Sequence, residues 1–261
     1  MKLAVTGKGG VGKTTISSGL ATLFARDGAR VIAVDADPDS NLAATLGFPN
    51  PDEITPIGEM NDLIADRTGG VPGTTGGVFT LNPEVADIPD DFCPEHNGIR
   101  LISMGGSSRE GGSGCLCPEN AFLRALMGHV IFLVQDVVIL DMVAGIEHLT
   151  RGTARGVDAL LVVVEPGARS LETAKRIRRL AGELGIPKLL VVGNKVRNDE
   201  DRAYVKSALE GLEVAAFIPY SPDIIQTGMG REGISAALQG EVGDQIRQLK
   251  SRLVEAFGHP A

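Results

Sequence analysis

Short apolar runs alternate with amphipathic stretches along this chain. The runs Lys2–Thr6, Arg30–Val34, Val78–Asn82, Arg100–Met104, Val137–Asp141, Ala159–Val164, Lys188–Gly193 and Val214–Ile218 are mostly β-branched and bounded by glycine, proline or charge. That pattern predicts strands. The stretches Lys13–Asp27, Glu119–His129, Ser170–Leu184, Glu200–Glu210 and Gly240–Phe257 carry helical spacing. Strand–helix alternation of this kind predicts an α/β fold. The expected form is one domain over residues 1–261, with a mostly parallel, roughly eight-stranded twisted sheet, right-handed crossovers and helices on both faces.

Two regions break the alternation. Asn50–Asp91 is rich in glycine, proline and acidic residues, and is expected to form loops and one helix over the sheet edge. A loop at about 104–118 contains Gly105, Gly106, Gly111, Gly112 and Gly114. So much glycine makes a loop mobile or brings its backbone close to something.

Composition sharpens this picture. Hydrophobic residues make up 43% and aromatics only 4%, with no tryptophan. The core must be built from Val, Ile, Leu and Ala, which suits parallel strands buried on both faces. The formal net charge of −8 offers no electrostatic footprint for nucleic acid or an anionic membrane. No apolar run reaches the length of a membrane span. The first residues are needed as a strand, so a cleaved signal is not expected and a cytoplasmic location is. Three cysteines then point to metal or redox chemistry, or plain burial, over disulfides.

The candidate chemistry begins at Gly7. Gly7-Lys8-Gly9-Gly10-Val11-Gly12-Lys13-Thr14 matches G-x-x-x-x-G-K-T between a strand and a helix, the setting that separates a phosphate loop from a chance glycine-rich turn. Backbone N–H groups from Gly9, Gly10, Val11 and Gly12 through Thr15 would cradle phosphates at a helix N-terminus. Lys13 would reach the β- and γ-phosphates, and the Thr14 hydroxyl would ligate Mg²⁺. ATP and ADP are the expected ligands.

Asp35 and Asp37 end the second strand, at the ligand crevice of such sheets. Asp35 is expected to assist the Mg²⁺ shell, although one of the two carboxylates could simply cap the following turn. Val137-Val138-Ile139-Leu140-Asp141 is an apolar strand ending in a carboxylate, so Asp141 is expected to hold Mg²⁺ directly or through water. Asn194-Lys195 ends another strand. The Asn194 amide can donate to and accept from an adenine edge, or the residue can be an ordinary strand-end turn. Pro219 and Tyr220 would wall the purine. Arg197 stands where a GTPase needs a carboxylate for guanine, which favours ATP.

Cys115-Leu116-Cys117 precedes Pro118, a favoured first helical residue, so these thiols sit near a helix N-terminus that favours thiolate. Two ligands per chain are too few for a closed soft-metal site. A symmetric dimer would supply four sulfurs, whereas burial as two small hydrophobes needs no partner. Cys93 and His96 read as a buried cysteine and a surface histidine. The tail from Gln245 to Phe257 is amphipathic and is expected to pack on the sheet.

Gly7 to Thr15, with its second lysine, resembles the deviant Walker A loop of the ATPase group that includes the nitrogenase iron protein and the septum-positioning and partitioning ATPases. The resemblance implies that Lys8 crosses a dimer interface to the partner's nucleotide. It also implies that Asp37 orients or deprotonates the attacking water, that Asn41 touches the partner, that residues 144–149 form a second switch, and that Asn194 reads the base. Ala144-Gly145-Ile146-Glu147-His148-Leu149, the C-x-C, Phe92-Cys93 and Ile218-Pro219-Tyr220 together resemble the CooC family over nearly the whole chain. Those proteins are nickel-insertion accessory ATPases for carbon monoxide dehydrogenase. The resemblance implies one Ni²⁺ or Zn²⁺ bridging a homodimer through Cys115 and Cys117, with the apo dehydrogenase as client. Val143 and Ser221 stand where the family has acidic residues. An iron–sulfur electron-transfer ATPase and a positioning or partitioning ATPase are the alternatives.

Overall fold

The computed structural model describes residues 1–37, 41–74, 77–105, 117–143, 156–222, 224 and 233–258. Eight strands form one sheet: β1 (Lys2–Gly7), β2 (Val31–Asp35), β3 (Glu95–His96), β4 (Ile99–Ser103), β5 (Val137–Asp141), β6 (Ala159–Val164), β7 (Leu189–Val196) and β8 (Glu213–Pro219). Their spatial order is β3-β4-β2-β5-β1-β6-β7-β8. Every pairing is parallel except the short edge pair β3–β4. Among the described residues the α-helices are α1 (Lys13–Arg26), α2 (Leu42–Leu46), α3 (Asn61–Thr68), α4 (Ile88–Asp91), α5 (Pro118–Phe132), α6 (Ala168–Leu184), α7 (Asp199–Ala208) and α8 (Glu241–Phe257).

Side-chain alternation along the strands divides the core into two layers. Leu3, Val5, Ala33, Leu161 and Val163 face a cluster built on α1, α2 and α8. Ala4, Ile32, Val34, Leu160 and Val162 face α3, α5, α6 and α7. Burial on both faces is why these strands read as continuous apolar runs. The amphipathic tail packs as expected, with Val242, Ile246, Leu249 and Leu253 of α8 in the first layer. No helix among the described residues is long and apolar enough to cross a membrane.

One expected strand is absent. Residues 78–82 are not a strand, and the eighth place is taken by Glu95–His96, antiparallel to β4. The run is β-prone but finds no edge to pair with, and strand propensity yields to tertiary context. The single helix expected within Asn50–Asp91 is α3, joined by the one-turn α4. α2 is too short to announce itself through periodicity.

β1 lies at the topological switch point. The chain leaves it toward β2 and β4 on one side, and later passes to β6, β7 and β8 on the other. Ligand crevices form beyond the strand carboxyl ends at such a point.

Candidate functional site

The loop Lys8–Gly12 joins the end of β1 to α1 at this crevice. Glycine is demanded at the last residue of β1 and at the last residue of the loop. Gly7 has φ +150°, and a Cβ there would run into the Val163 carbonyl of β6. Gly12 has φ +95°, in the left-handed region, and a Cβ would collide with the Asn194 amide. α1 starts with no side-chain cap and no acidic residue in its first turn. α7, by contrast, is capped by Asn198 and carries three acids in its first turn. The first N–H groups of α1 are thus left for an anion.

The far side of the loop is braced by β7. That strand runs on through Asn194 and Lys195, with a register shift against β8 between Gly193 and Val196. Lys195 has φ +56°. Such a bulge re-aims side chains. Asn194 Nδ2 donates to the Val11 carbonyl at 2.7 Å, and Lys195 Nζ donates to the Gly10 carbonyl at 2.6 Å. Lys195 also pairs with Glu165 at 3.4 Å. Asn194 is only 2% exposed, and its Oδ1 is buried with no hydrogen-bond partner among the described residues.

Parallel registers bring two carboxylates together. Asp35 of β2 and Asp141 of β5 are direct neighbours, both buried. Burial lifts the Asp141 carboxyl to about 6, helped by the charge of Asp35. Hydrogen bonds from Thr14 and Ser17 and the Lys13 charge pull the other way. Ser17 Oγ donates to Asp141 Oδ1 at 3.0 Å. Asp35 Oδ1 accepts from Asp37 N at 3.1 Å and Oδ2 from Leu42 N at 3.0 Å, so this carboxylate ties the loop after β2 to the start of α2. Two buried carboxylates beside hydroxyls are the oxygen donor set that a hard divalent cation fits. Asp37 is half-buried at the loop start, and Asn41 is exposed just before α2.

On the base side, Tyr220 N donates to the Val196 carbonyl at 2.9 Å, which closes the end of β8 onto β7. The Tyr220 ring is 47% exposed, with the Arg197 guanidinium 6.0 Å from its centroid. Pro219 and Tyr220 share a cleft of about 520 Å³ with Val196, Arg197, Asn198 and Glu241.

Cys117 occupies the N-cap position of α5, with Pro118 as the first helical residue, as the sequence implies. Cys115 and residues 144–149 lie outside the described residues. Among the described residues no cluster of three or more His, Cys, Asp or Glu is placed to hold a metal. Burial pushes the half-buried Cys93 thiol up to about 12, far from thiolate. His96 packs its ring against Phe48, centroids 5.4 Å apart.

Sequence reasoning passes over two contributors. Ser17 sits one turn beyond Lys13 on α1, a spacing that puts both on one face. Glu165 follows β6 at the carboxyl edge, where any polar side chain is a candidate.

Comparison with known proteins agrees with this geometry. Residues 2–232 match the model of the CobQ/CobB/MinD/ParA nucleotide binding domain. The chain is 42% identical, over 99% of its length and 98% of the other's, to the carbon monoxide dehydrogenase accessory protein CooC of Rhodospirillum rubrum. The chain is a CooC-type ATPase of the CobQ/CobB/MinD/ParA family. This CooC-type ATPase is also 48% identical to an uncharacterised ATP-binding protein of Methanocaldococcus jannaschii, covering 87% of this chain and 88% of that one. Among solved structures, the MinD cell division protein of Aquifex aeolicus superposes with TM-score 0.67 at 20% identity, covering 97% and 96% of the two chains. A plasmid partition protein of Borrelia burgdorferi bound to AMPPNP superposes with TM-score 0.70 at 11% identity, covering 97% and 98%. Those two likenesses speak to the fold alone.

Proposed function

We propose that this CooC-type ATPase couples ATP hydrolysis to delivery of a soft metal ion, nickel in the first instance, to a carbon monoxide dehydrogenase during its maturation in the cytoplasm. The observation that supports this reading most is the 42% identity, over 99% of this chain, to a protein named as the accessory factor of that enzyme.

The N–H groups from Gly9 to Thr15 would wrap the phosphates, with Lys13 on the β- and γ-phosphoryl oxygens. Thr14 and Asp141 would hold Mg²⁺, and Asp35, whose oxygens each keep a backbone N–H, would act on it through water. When bound, Mg²⁺ neutralises charge on the β- and γ-oxygens. Asp37 would align the attacking water and take its proton. Asn194 Oδ1, without a partner among the described residues, would accept from the exocyclic amine of adenine. Lys195 would keep the loop in shape from behind, and Pro219 with Tyr220 would flank the base. Lys8, from a second copy, would meet charge developing in the transition state.

The cargo would be held by Cys115 and Cys117 of both copies, four thiolates on a two-fold axis. A helix N-terminus behind Cys117 favours the thiolate form. Nucleotide closure of the dimer and its reopening after hydrolysis would gate release of the ion. Equilibrium dialysis with Ni²⁺ tests this. One ion per two chains is expected, lost in Cys115→Ala and Cys117→Ala. A wild-type protein that retains no nickel would end the reading, and a brown iron–sulfur spectrum in anaerobically purified protein would replace it with an electron-transfer ATPase.

A further inference from the structure

The charge of this chain is segregated. Residues 50–91 carry nine carboxylates against the single Arg67, a net of −8, while the remaining 219 residues balance 24 acids against 24 bases. The whole net charge of the molecule thus sits in the crossover from β2 to β4. Asp62 and Asp66 on α3, Glu84 beyond it and Asp91 at the end of α4 are exposed. Arg67 is spent inside the segment, bonded to Asp87 at 3.0 Å through Nη1. Asp90 is met from outside by Arg30 and Arg100, at the end of the segment nearest β4.

Three exposed apolar side chains lie within this acidic segment. Val71 is 67% exposed, Val78 97% and Leu81 64%, all on the loop that follows α3. Apolar side chains scattered singly over a surface need no explanation, but three on one short loop do. The loop is also anchored. Thr80 N donates to the Thr68 carbonyl at 2.7 Å, and Gly70 N to Thr68 Oγ1 at 3.2 Å. Gly73 N donates to Glu119 Oε1, and Gly70 lies so close to Pro118 and Phe79 that it has no room for a Cβ. Pro118 and Glu119 are the first two residues of α5, directly after Cys117. This loop is therefore fixed to the backbone directly after Cys117.

We infer that residues 69–74 and 77–82, with the acidic residues of the same crossover, form the surface on which the client enzyme docks. The client would present an apolar patch ringed by lysine and arginine. Charge selects this occupant. A second copy of the chain would set the same acidic face against itself, and nucleic acid and anionic lipid carry the same sign. A basic-rimmed protein is drawn in by the rim and held by the apolar centre, and its metal site is brought beside Cys117. The inference rests on the client reading above.

Binding of purified apo carbon monoxide dehydrogenase to the nickel-loaded dimer, measured by biolayer interferometry across a salt series, tests it. Val71→Ser/Val78→Ser/Leu81→Ser is expected to weaken binding roughly tenfold or more, mainly through faster dissociation. Asp62→Lys/Asp66→Lys/Glu84→Lys is expected to slow association and flatten the salt dependence. Both variants keep wild-type ATPase rates and melting temperatures, since every changed side chain is exposed. If wild type binds and both surface variants bind equally tightly at every salt concentration, the docking surface is wrong and the client reading stands. If wild type does not bind at all, both fall together.

Discussion

At the scale of single residues, Asp141 carries the sharpest consequence. In the folded chain its carboxyl keeps a proton up to about pH 6, lifted from the ordinary 3.8 mainly by burial. In the unfolded chain it loses that proton near pH 4. The folded state therefore binds more protons between these values, and stability falls as pH rises through that window. Below about pH 4 the cost is absent; above about 6 it is fully present and constant. Asp141→Asn has no charge to bury. Nucleotide-free Asp141→Asn in a chelator is expected to be more stable than wild type at pH 7, by up to roughly 3 kcal/mol from the shift alone. The excess vanishes by about pH 4. Urea denaturation of both proteins at several pH values reads this out, and parallel curves would refute it. The same variant is expected to lose Mg²⁺-dependent hydrolysis. A residue tuned against stability in the empty state is what a cation site looks like before its ion arrives.

At the scale of elements, the apposition of α1 and α8 carries a stability prediction. A Cβ on Gly19 of α1 would sit 2.8 Å from Ile246 Cδ1 of α8. Ile246 is fully buried, so it has little room to yield. Gly19→Val is expected to destabilise by about 1–3 kcal/mol through overpacking, measured by thermal or chemical denaturation. A value near zero would mean that the two helices slide apart cheaply. Seven of the eight strands and five of the helices were legible in the sequence, because buried parallel strands and long amphipathic helices write strong periodic patterns. The rest was hidden for physical reasons. Residues 78–82 have strand chemistry, but pairing depends on an available edge, which local sequence does not encode. β3 is two residues long and α2 only five, below the length at which a period is visible. The site divides the same way. Gly7 to Thr15 and Asp141 are bound by local motif, so they could be read. The brace from Asn194 and Lys195 onto the loop spans more than 180 residues of chain and depends on the bulge in β7. Likewise, that Asp35 would spend both oxygens on the backbone of the following loop depends on the turn geometry after β2.

At the scale of the whole molecule, the open question is whether one chain completes its own catalytic site. Lys13 is buried at the start of α1, beside the carboxylate it would share with Mg²⁺. Lys8 is different. It lies at the rim of the loop, next to exposed Gly9 and Gly10, and its ammonium makes no hydrogen bond or ion pair with any described residue. A lysine that stays in solvent on its own subunit adds little to the charge balance of the adjoining phosphates, since water screens it. Delivered by a second copy into a closed, drier site, the same charge is worth about 10³–10⁵ in rate, as for an arginine finger. The two arrangements separate in a mixing experiment. Lys8→Ala and Lys13→Ala are each expected to be nearly inactive alone. In a mixed dimer, the Lys8→Ala subunit keeps its own Lys13 and receives Lys8 from the Lys13→Ala subunit, so one of the two sites is complete. Random pairing of equal amounts then restores about a quarter of the wild-type rate per chain. If Lys8 acts within its own subunit, no pairing completes a site and the mixture stays as inactive as its parts. Recovery would make the dimer the unit of hydrolysis, which is also what cysteines contributed by both copies require.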